Sequence, residues 1–406
     1  MDKTLRSGLR GISSVANAHR PFIRNRFLTI PSFFAGWFAT EAPQVFAAGH
    51  VVGILRGLRR GDHRNPSGTA GLALKGAAVA GYSKLWLDGR RTDDEMSAAL
   101  AGHLDAADLA ARPHSGRGGE LVPFVGMGLS HRVITRRVPY IDGGAYRNTL
   151  EVHLPKGPID TGAKRPVVVQ IHGGGWVVGN AYEQGQPLLS HLVRNGWIGF
   201  AINYRLAPKA RFPDQLIDVK RALAWVKLHA AEYGGDPDFV VVTGGSAGGY
   251  LTAMTALTEN DPEFQPGFED ADTSVQAAMP VYGVYDLTND DHSMVWGFEE
   301  VLMRQWVMGT RLADDRERYE RYSPVHRVHA AAPPMMIVHG TLDTLVPIEH
   351  ARPFAAEMAR VSEHAVVYAE LTGANHAFDI FESTRTVRFV EYAERFFDGA
   401  RRGVLK

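Results

Sequence analysis

Phe239-Val240-Val241-Val242-Thr243-Gly244-Gly245-Ser246-Ala247-Gly248-Gly249 is the stretch that decides the fold. A run of β-favouring residues ends in a tight turn of small residues, and a helix-forming segment follows. A strand, a sharp turn and a helix in that order lift a serine hydroxyl clear of a sheet edge. A second stretch has the same grammar. Val167-Val168-Val169-Gln170-Ile171 runs into His172-Gly173-Gly174-Gly175-Trp176. Two such turns can aim backbone N–H groups at one point, an arrangement suited to a developing oxyanion. One G-x-S-x-G alone is a weak signal, because small residues at a turn also serve close strand–helix packing.

Downstream residues supply the remaining parts in the order nucleophile, acid, histidine. Met335-Met336-Ile337-Val338 reads as a buried strand and runs into His339-Gly340-Thr341-Leu342-Asp343. Ala365-Val366-Val367-Tyr368-Ala369 reads as the next strand and leads to Gly373-Ala374-Asn375-His376. Ser246, Asp343 and His376 thus fall at carboxyl ends of predicted strands, where open α/β sheets build their sites. His376 is the candidate base for Ser246, and Asp343 the candidate partner of the imidazole, with Asp379 as rival.

These residues carry a resemblance. The chain resembles the hormone-sensitive-lipase-like carboxylesterases, bacterial family IV, of the α/β-hydrolase superfamily. The matching pieces are HGGGW at 172–176, GGSAGG at 244–249, Asn203-Tyr204-Arg205-Leu206-Ala207-Pro208 with Phe212-Pro213, and Asp218-Val219 with Ala222 and Trp225. They span roughly residues 130–400. The resemblance implies an α/β-hydrolase fold with helices on both faces of a mostly parallel sheet. It implies ester hydrolysis through an acyl-enzyme, with Gly174, Gly175 and Ala247 as oxyanion donors. It also implies a cap formed by the N-terminal segment and an insertion. Two departures stand out. Many members have Asp where this chain has Gly245, and many carry the acid in a DPL-type turn rather than Gly-Thr-Leu-Asp-Thr-Leu-Val-Pro. The latter resembles the acid loop of broader esterases and prolyl-oligopeptidase-type hydrolases. An amide or peptide hydrolase is therefore the alternative. A hydrolase-like receptor, as in plant gibberellin receptors, is the more distant one, since those lack the histidine kept here.

Working outward, the alternation of strands and helices begins near Arg132. Asp142-Gly143-Gly144 between two strand-like runs predicts an antiparallel hairpin. Beyond it the pattern predicts a parallel sheet covered on both faces, with a clear helix over 214–233. The interval 286–322 breaks the rhythm. Its Met294, Trp296, Phe298, Val301, Leu302, Met303, Trp306 and Met308 suit an acyl-binding wall. The expected organisation is a helical extension or cap over 1–130 and a catalytic domain over 131–400. Within the extension, 1–26 reads as weakly ordered, 33–60 as one amphipathic helix, 69–87 as an alanine-rich helix and 112–119 as a loop. Thr92 opens a further helix.

The 406 residues suffice for one large α/β domain plus an extension, and 45% apolar content supports a sizeable core. With no cysteine, disulfides, thiol nucleophiles and iron–sulfur clusters are excluded. Neither glycine turn is followed by Lys-Ser or Lys-Thr or fits G-x-G-x-x-G with a following acid, so neither a nucleotide nor another cofactor is called for. His172 reads as a structural brace, because no second ligand stands beside it for a metal. Asn203, Tyr204, Arg205 and Asp218 read as scaffold. Net charge is zero overall, yet residues 1–64 hold ten Lys and Arg against three acids, a surplus of +7. That is compatible with peripheral contact with an anionic membrane or other anionic partner and equally with a solvated helical arm, while nothing beyond it suggests nucleic acid. Pro31, Glu41, Pro43 and His50 interrupt the best apolar stretch, and a signal peptide fits poorly. The implied partner is a small-molecule or lipid ester. A homodimer is compatible, as is a cytoplasmic or envelope-associated location.

Overall fold

The computed structural model describes residues 2–21, 27–109, 132–295 and 297–406. The predicted loop at 112–119 and Trp296 lie outside the described residues. An extension comes first, with α1 (Lys3–His19), α2 (Thr29–Glu41), α3 (Pro43–Arg60), α4 (Pro66–Arg90), α5 (Thr92–Leu100) and the single turn α6 (Ala106–Leu109). The hairpin β1 (Arg132–Pro139) and β2 (Thr149–Leu154) follows. Then come β3 (Arg165–Ile171), α7 (Gln186–Arg194), β4 (Ile198–Ile202), α8 (Asp214–His229), β5 (Gly235–Gly245), α9 (Ala247–Leu257) and β6 (Ala277–Val281). A π-helical segment (Phe298–Val307) and α10 (Arg316–Arg321) occupy the 286–322 interval. The chain closes with β7 (Met335–Gly340), α11 (Ala351–Val361), β8 (Val366–Leu371) and α12 (Thr384–Arg402).

The eight strands form one sheet in the order β1-β2-β4-β3-β5-β6-β7-β8. β1 and β2 pair antiparallel, as do β2 and β4, and every other pairing is parallel. The central strands are buried along their length, which is why they read as unbroken apolar runs. Alternate residues serve opposite faces. Val167, Val169, Val240 and Val242 pack with Leu223 of α8, Met254 of α9 and Phe354 of α11. Val168 and Val241 pack with Leu192 of α7 and Phe389 and Phe396 of α12. Chain order reverses at β3, which lies between β4 and β5. A crevice therefore opens at the carboxyl ends of β3 and β5, where both glycine turns sit.

The extension corrects two expectations. Residues 3–19 form a regular helix, not a weakly ordered arm. The Asp2 carboxylate caps it by accepting from the Thr4 and Leu5 amides at 2.7 and 3.1 Å. Glycines let it lie close on α4: a Cβ on Gly71 would stand 2.5 Å from the Leu5 nitrogen. The single helix expected over 33–60 is two, because Pro43 starts a new helix after Ala42 leaves helical geometry. α2 ends in Glu41, whose buried carboxylate accepts from Ser383 Oγ at 2.7 Å and lies 3.6 Å from Arg385 Nε. Burial raises the Glu41 pKa, while Arg385 and the Ser383 hydroxyl oppose that rise. This ionic contact fastens the extension to the start of α12.

Candidate functional site

Ser246 sits between β5 and α9 at φ +60° and ψ −123°, a left-handed backbone that an L residue adopts only under constraint. The constraint is the end of β3. A Cβ on Gly244 would stand 2.4 Å from the Ile171 carbonyl oxygen, and one on Gly248 2.2 Å from it. Only glycine on both sides lets the turn close. The Ser246 amide donates to Val281 O at 3.0 Å, which locks the turn to β6. Ser246 is half-buried amid fully buried neighbours, so its hydroxyl side is the reachable one.

His376 lies between β8 and α12, and Asp343 follows β7. His376 Nδ1 donates to Asp343 Oδ2 at 2.7 Å, which leaves Nε2 with a free lone pair. Asp343 Oδ1 accepts from the Leu345 and Val346 amides at 2.9 and 2.8 Å. Burial pushes the Asp343 carboxyl up. His376 and His339 outweigh it and hold the group well below the ordinary carboxylate range. Asp379 does not reach the imidazole as a partner. It accepts instead from the Tyr282 hydroxyl, and burial raises its pKa.

Sequence reading missed three supports of the imidazole. Asn375 Oδ1 accepts from His376 N at 2.8 Å and from Thr344 N and Oγ1 at 3.2 and 2.9 Å, tying the acid turn to the histidine turn. Tyr282 lays its ring 4.7 Å from that of His376. Phe33 of α2 stands edge-on to the same imidazole at 6.2 Å. An Asn directly before the histidine was the only visible hint. The Tyr282 position also accounts for Gly245, since a Cβ there would stand 2.4 Å from the Tyr282 hydroxyl. The residue that fills this space is Tyr282, directly after β6.

Gly174 and Gly175 have φ of +114° and +59°. A Cβ on Gly174 would meet Val178 O at 2.2 Å, so the turn requires its glycine. Among the described residues, no protein acceptor takes the Gly174, Gly175 or Ala247 N–H. Ala247 opens α9, whose first amides have no intrahelical partner and whose dipole favours negative charge. His172 behaves as a brace. Its Nδ1 donates to Gly173 O at 2.7 Å and its ring stacks on Tyr204 at 4.2 Å, while Tyr204 donates to His172 O. Burial lowers its pKa to about 4. Arg205 grips Asp218 through two bonds of 2.8 and 2.9 Å, and Asn203 Oδ1 accepts the Ala181 amide.

Ser246, His376, Gly174, Gly175 and Ala247 all line one cavity of about 690 Å³. Apart from Gln184 and Tyr282, its other walls are apolar. Phe33 and Trp37 come from α2, and Met294, Phe298, Val301 and Leu302 from the 286–322 interval. Met303, Val307 and Met308 of that interval are core residues instead.

A mixed eight-stranded sheet with helices on both faces, and polar groups gathered at its carboxyl edge, defines the α/β-hydrolase class. Residues 150–358 match the BD-FAE family. The chain is 40% identical over 391 residues to the probable carboxylic ester hydrolase LipM of Mycobacterium tuberculosis, covering 95% of this chain and 90% of that protein. It is 36% identical to esterase LipQ of the same organism, covering 91% and 86%. Among solved structures, the butyrate-bound esterase Est2 of Thermogutta terrifontis is 28% identical with a TM-score of 0.53, covering 69% of this chain and 96% of that one. The chain belongs to the carboxylic ester hydrolases of the hormone-sensitive-lipase-like family.

Proposed function

We propose that the protein hydrolyses carboxylic esters through an acyl-enzyme on Ser246. His376 Nε2 takes the hydroxyl proton as Ser246 Oγ attacks the ester carbonyl. The Gly174, Gly175 and Ala247 N–H groups receive the oxyanion. Collapse breaks the acyl C–O bond, and His376 returns the proton to the leaving alcohol. Water then repeats the sequence, releasing the acid and restoring Ser246. Asp343 keeps the imidazole in the required tautomer and stabilises the imidazolium. The observation that carries this reading is the 2.7 Å bond from His376 to Asp343 beside a cavity that Ser246 shares.

The substrate is a small-molecule or lipid ester whose acyl part meets the apolar wall. Residues 1–130 act as extension and cap, and 131–400 as the catalytic domain with its insertion at 286–322. Residues 1–64 make peripheral contact with anionic membrane, and a homodimer is the competing use of their exposed face. Ser246→Ala tests the mechanism: it is expected to abolish turnover of simple esters while the circular dichroism spectrum stays native. Retained turnover removes the proposal. Matched esters and amides over a series of acyl lengths separate the esterase from an amidase, and faster amide cleavage decides for the latter.

A further inference from the structure

The cavity mouth is greasy on its outer side as well as its inner one. Ile30, Phe34, Val178 and Trp306 line the cavity and yet are 53%, 52%, 61% and 37% exposed. Exposed apolar side chains are also concentrated in the same part of the extension. Of 21 exposed large apolar side chains among the described residues, eleven fall within 27–58, so they cluster rather than scatter. Val51, Leu55 and Leu58 repeat at one face of α3, whose other side packs on α4, with Gly57 against Leu72. Single exposed apolar residues are ordinary, but a continuous patch marks an interaction surface.

Charge selects the partner. Between Phe27 and Arg60 the only acid is Glu41, which is buried against Ser383 and Arg385. The patch therefore presents no carboxylate, while Arg56 and Arg59 are exposed at the far end of α3. Apolar stripes edged by arginine suit an anionic bilayer, where the side chains enter the acyl boundary and the guanidinium groups meet headgroups. Among the described residues no helix is long and apolar enough to cross a membrane, so the surface lies on lipid rather than through it.

We infer that α2 and α3 dock the cavity mouth onto an anionic lipid surface, and that the substrate is a water-insoluble acyl ester drawn directly from that surface. The inference rests on the ester-hydrolase reading and names its substrate class. The acyl chain leaves the bilayer between Ile30 and Phe34 on one side and Trp306 on the other. It then passes Phe33 and Phe298 to reach Ser246, without crossing water. The water-exposed cost of an extracted lipid chain is thereby avoided.

The test uses the full chain and two substrates, dioleoylglycerol dissolved in vesicles containing about one-third phosphatidylglycerol in phosphatidylcholine, and p-nitrophenyl butyrate in buffer. The variants are Val52→Asp with Leu55→Asp, and Arg56→Gln with Arg59→Gln, all exposed and outside the cavity. Each pair is expected to reduce vesicle co-sedimentation and diacylglycerol hydrolysis about tenfold while butyrate hydrolysis stays within about twofold. Pure phosphatidylcholine vesicles should bind the wild-type chain more weakly. Absence of wild-type binding to the anionic vesicles overturns the inference. So does a wild-type rate on diacylglycerol in both variants, or a dimer that the Asp pair breaks with no vesicle binding. Failure of the wild-type chain on butyrate itself strikes the ester-hydrolase reading instead.

Discussion

The indole Nε1 of Trp37 donates to the carbonyl oxygen of Ala377 at 2.8 Å, joining α2 to the residue after His376 across 340 positions of sequence. Ala377 has a left-handed φ of +58°, a conformation costly for alanine. The indole bond is one of the contacts that hold it. The extension thus braces the turn that carries His376.

Trp37→Phe keeps an aromatic ring against Phe33 and Phe381 but removes the donor together with part of the indole's bulk. The expected cost is about 1 kcal/mol of stability. The kcat on a short soluble ester should fall about threefold to tenfold with KM nearly unchanged. Steady-state kinetics decide it: an unchanged kcat means α2 does not hold the histidine turn.

Two buried carboxylates stand near His376, and their roles differ. Asp343→Asn should lower kcat by about 10⁴-fold, since the imidazole loses its tautomer control. Asp379→Asn leaves that bond intact and should cost no more than about tenfold. A larger loss at Asp379 than at Asp343 would reverse the assignment.

Gly245 and Tyr282 compete for one volume. Gly245→Ala should destabilise the fold by about 1–3 kcal/mol through overpacking. Tyr282→Phe removes the hydroxyl that donates to Asp379 and should cost a similar 1–3 kcal/mol, roughly. The hydroxyl is the nearest of three Tyr282 atoms struck, the others being ring carbons at 2.6 Å, so its removal relieves part of the clash and the double variant should lose somewhat less than the sum. Chemical denaturation of the four chains measures this, and strict additivity would mean the residues do not compete.

His172 gives a pH dependence of stability. Its folded pKa is lowered to about 4 by burial, so the unfolded chain binds the proton first as pH falls. The sign is therefore a loss of stability between about pH 6.5 and pH 4, worth about 3 kcal/mol at the lower end. Asp343 adds to acid loss only further down, because its own pKa is depressed below the ordinary value. Denaturant midpoints should fall over that window in the wild-type chain and fall less steeply in His172→Gln, with the remaining slope coming from His350 and His50, whose pKa values burial also lowers.

The sheet and the candidate site at its carboxyl edge were legible because their signals are local. Strands covered on both faces read as apolar runs, and each site residue follows one. Their order along the chain, Ser246, Asp343, His376, selected the fold. The supports were not legible. Tyr282 and Asp379 look like ordinary residues until β6 and the histidine turn are brought together. Trp37 and Glu41 act on Ala377, Ser383 and Arg385, contacts that no periodicity can announce. Residues 1–26 read as weakly ordered and basic, and Gly8 and Gly11 do weaken a helix in isolation. In the fold those glycines allow close packing on α4, and tertiary contact overrides propensity.

The most direct measurement is the site of covalent capture by a fluorophosphonate, read by peptide mass spectrometry. The account predicts one adduct, on Ser246, that disappears in Ser246→Ala and is strongly slowed in His376→Ala. An adduct on another residue, or equal labelling of Ser246 without the imidazole, would contradict it.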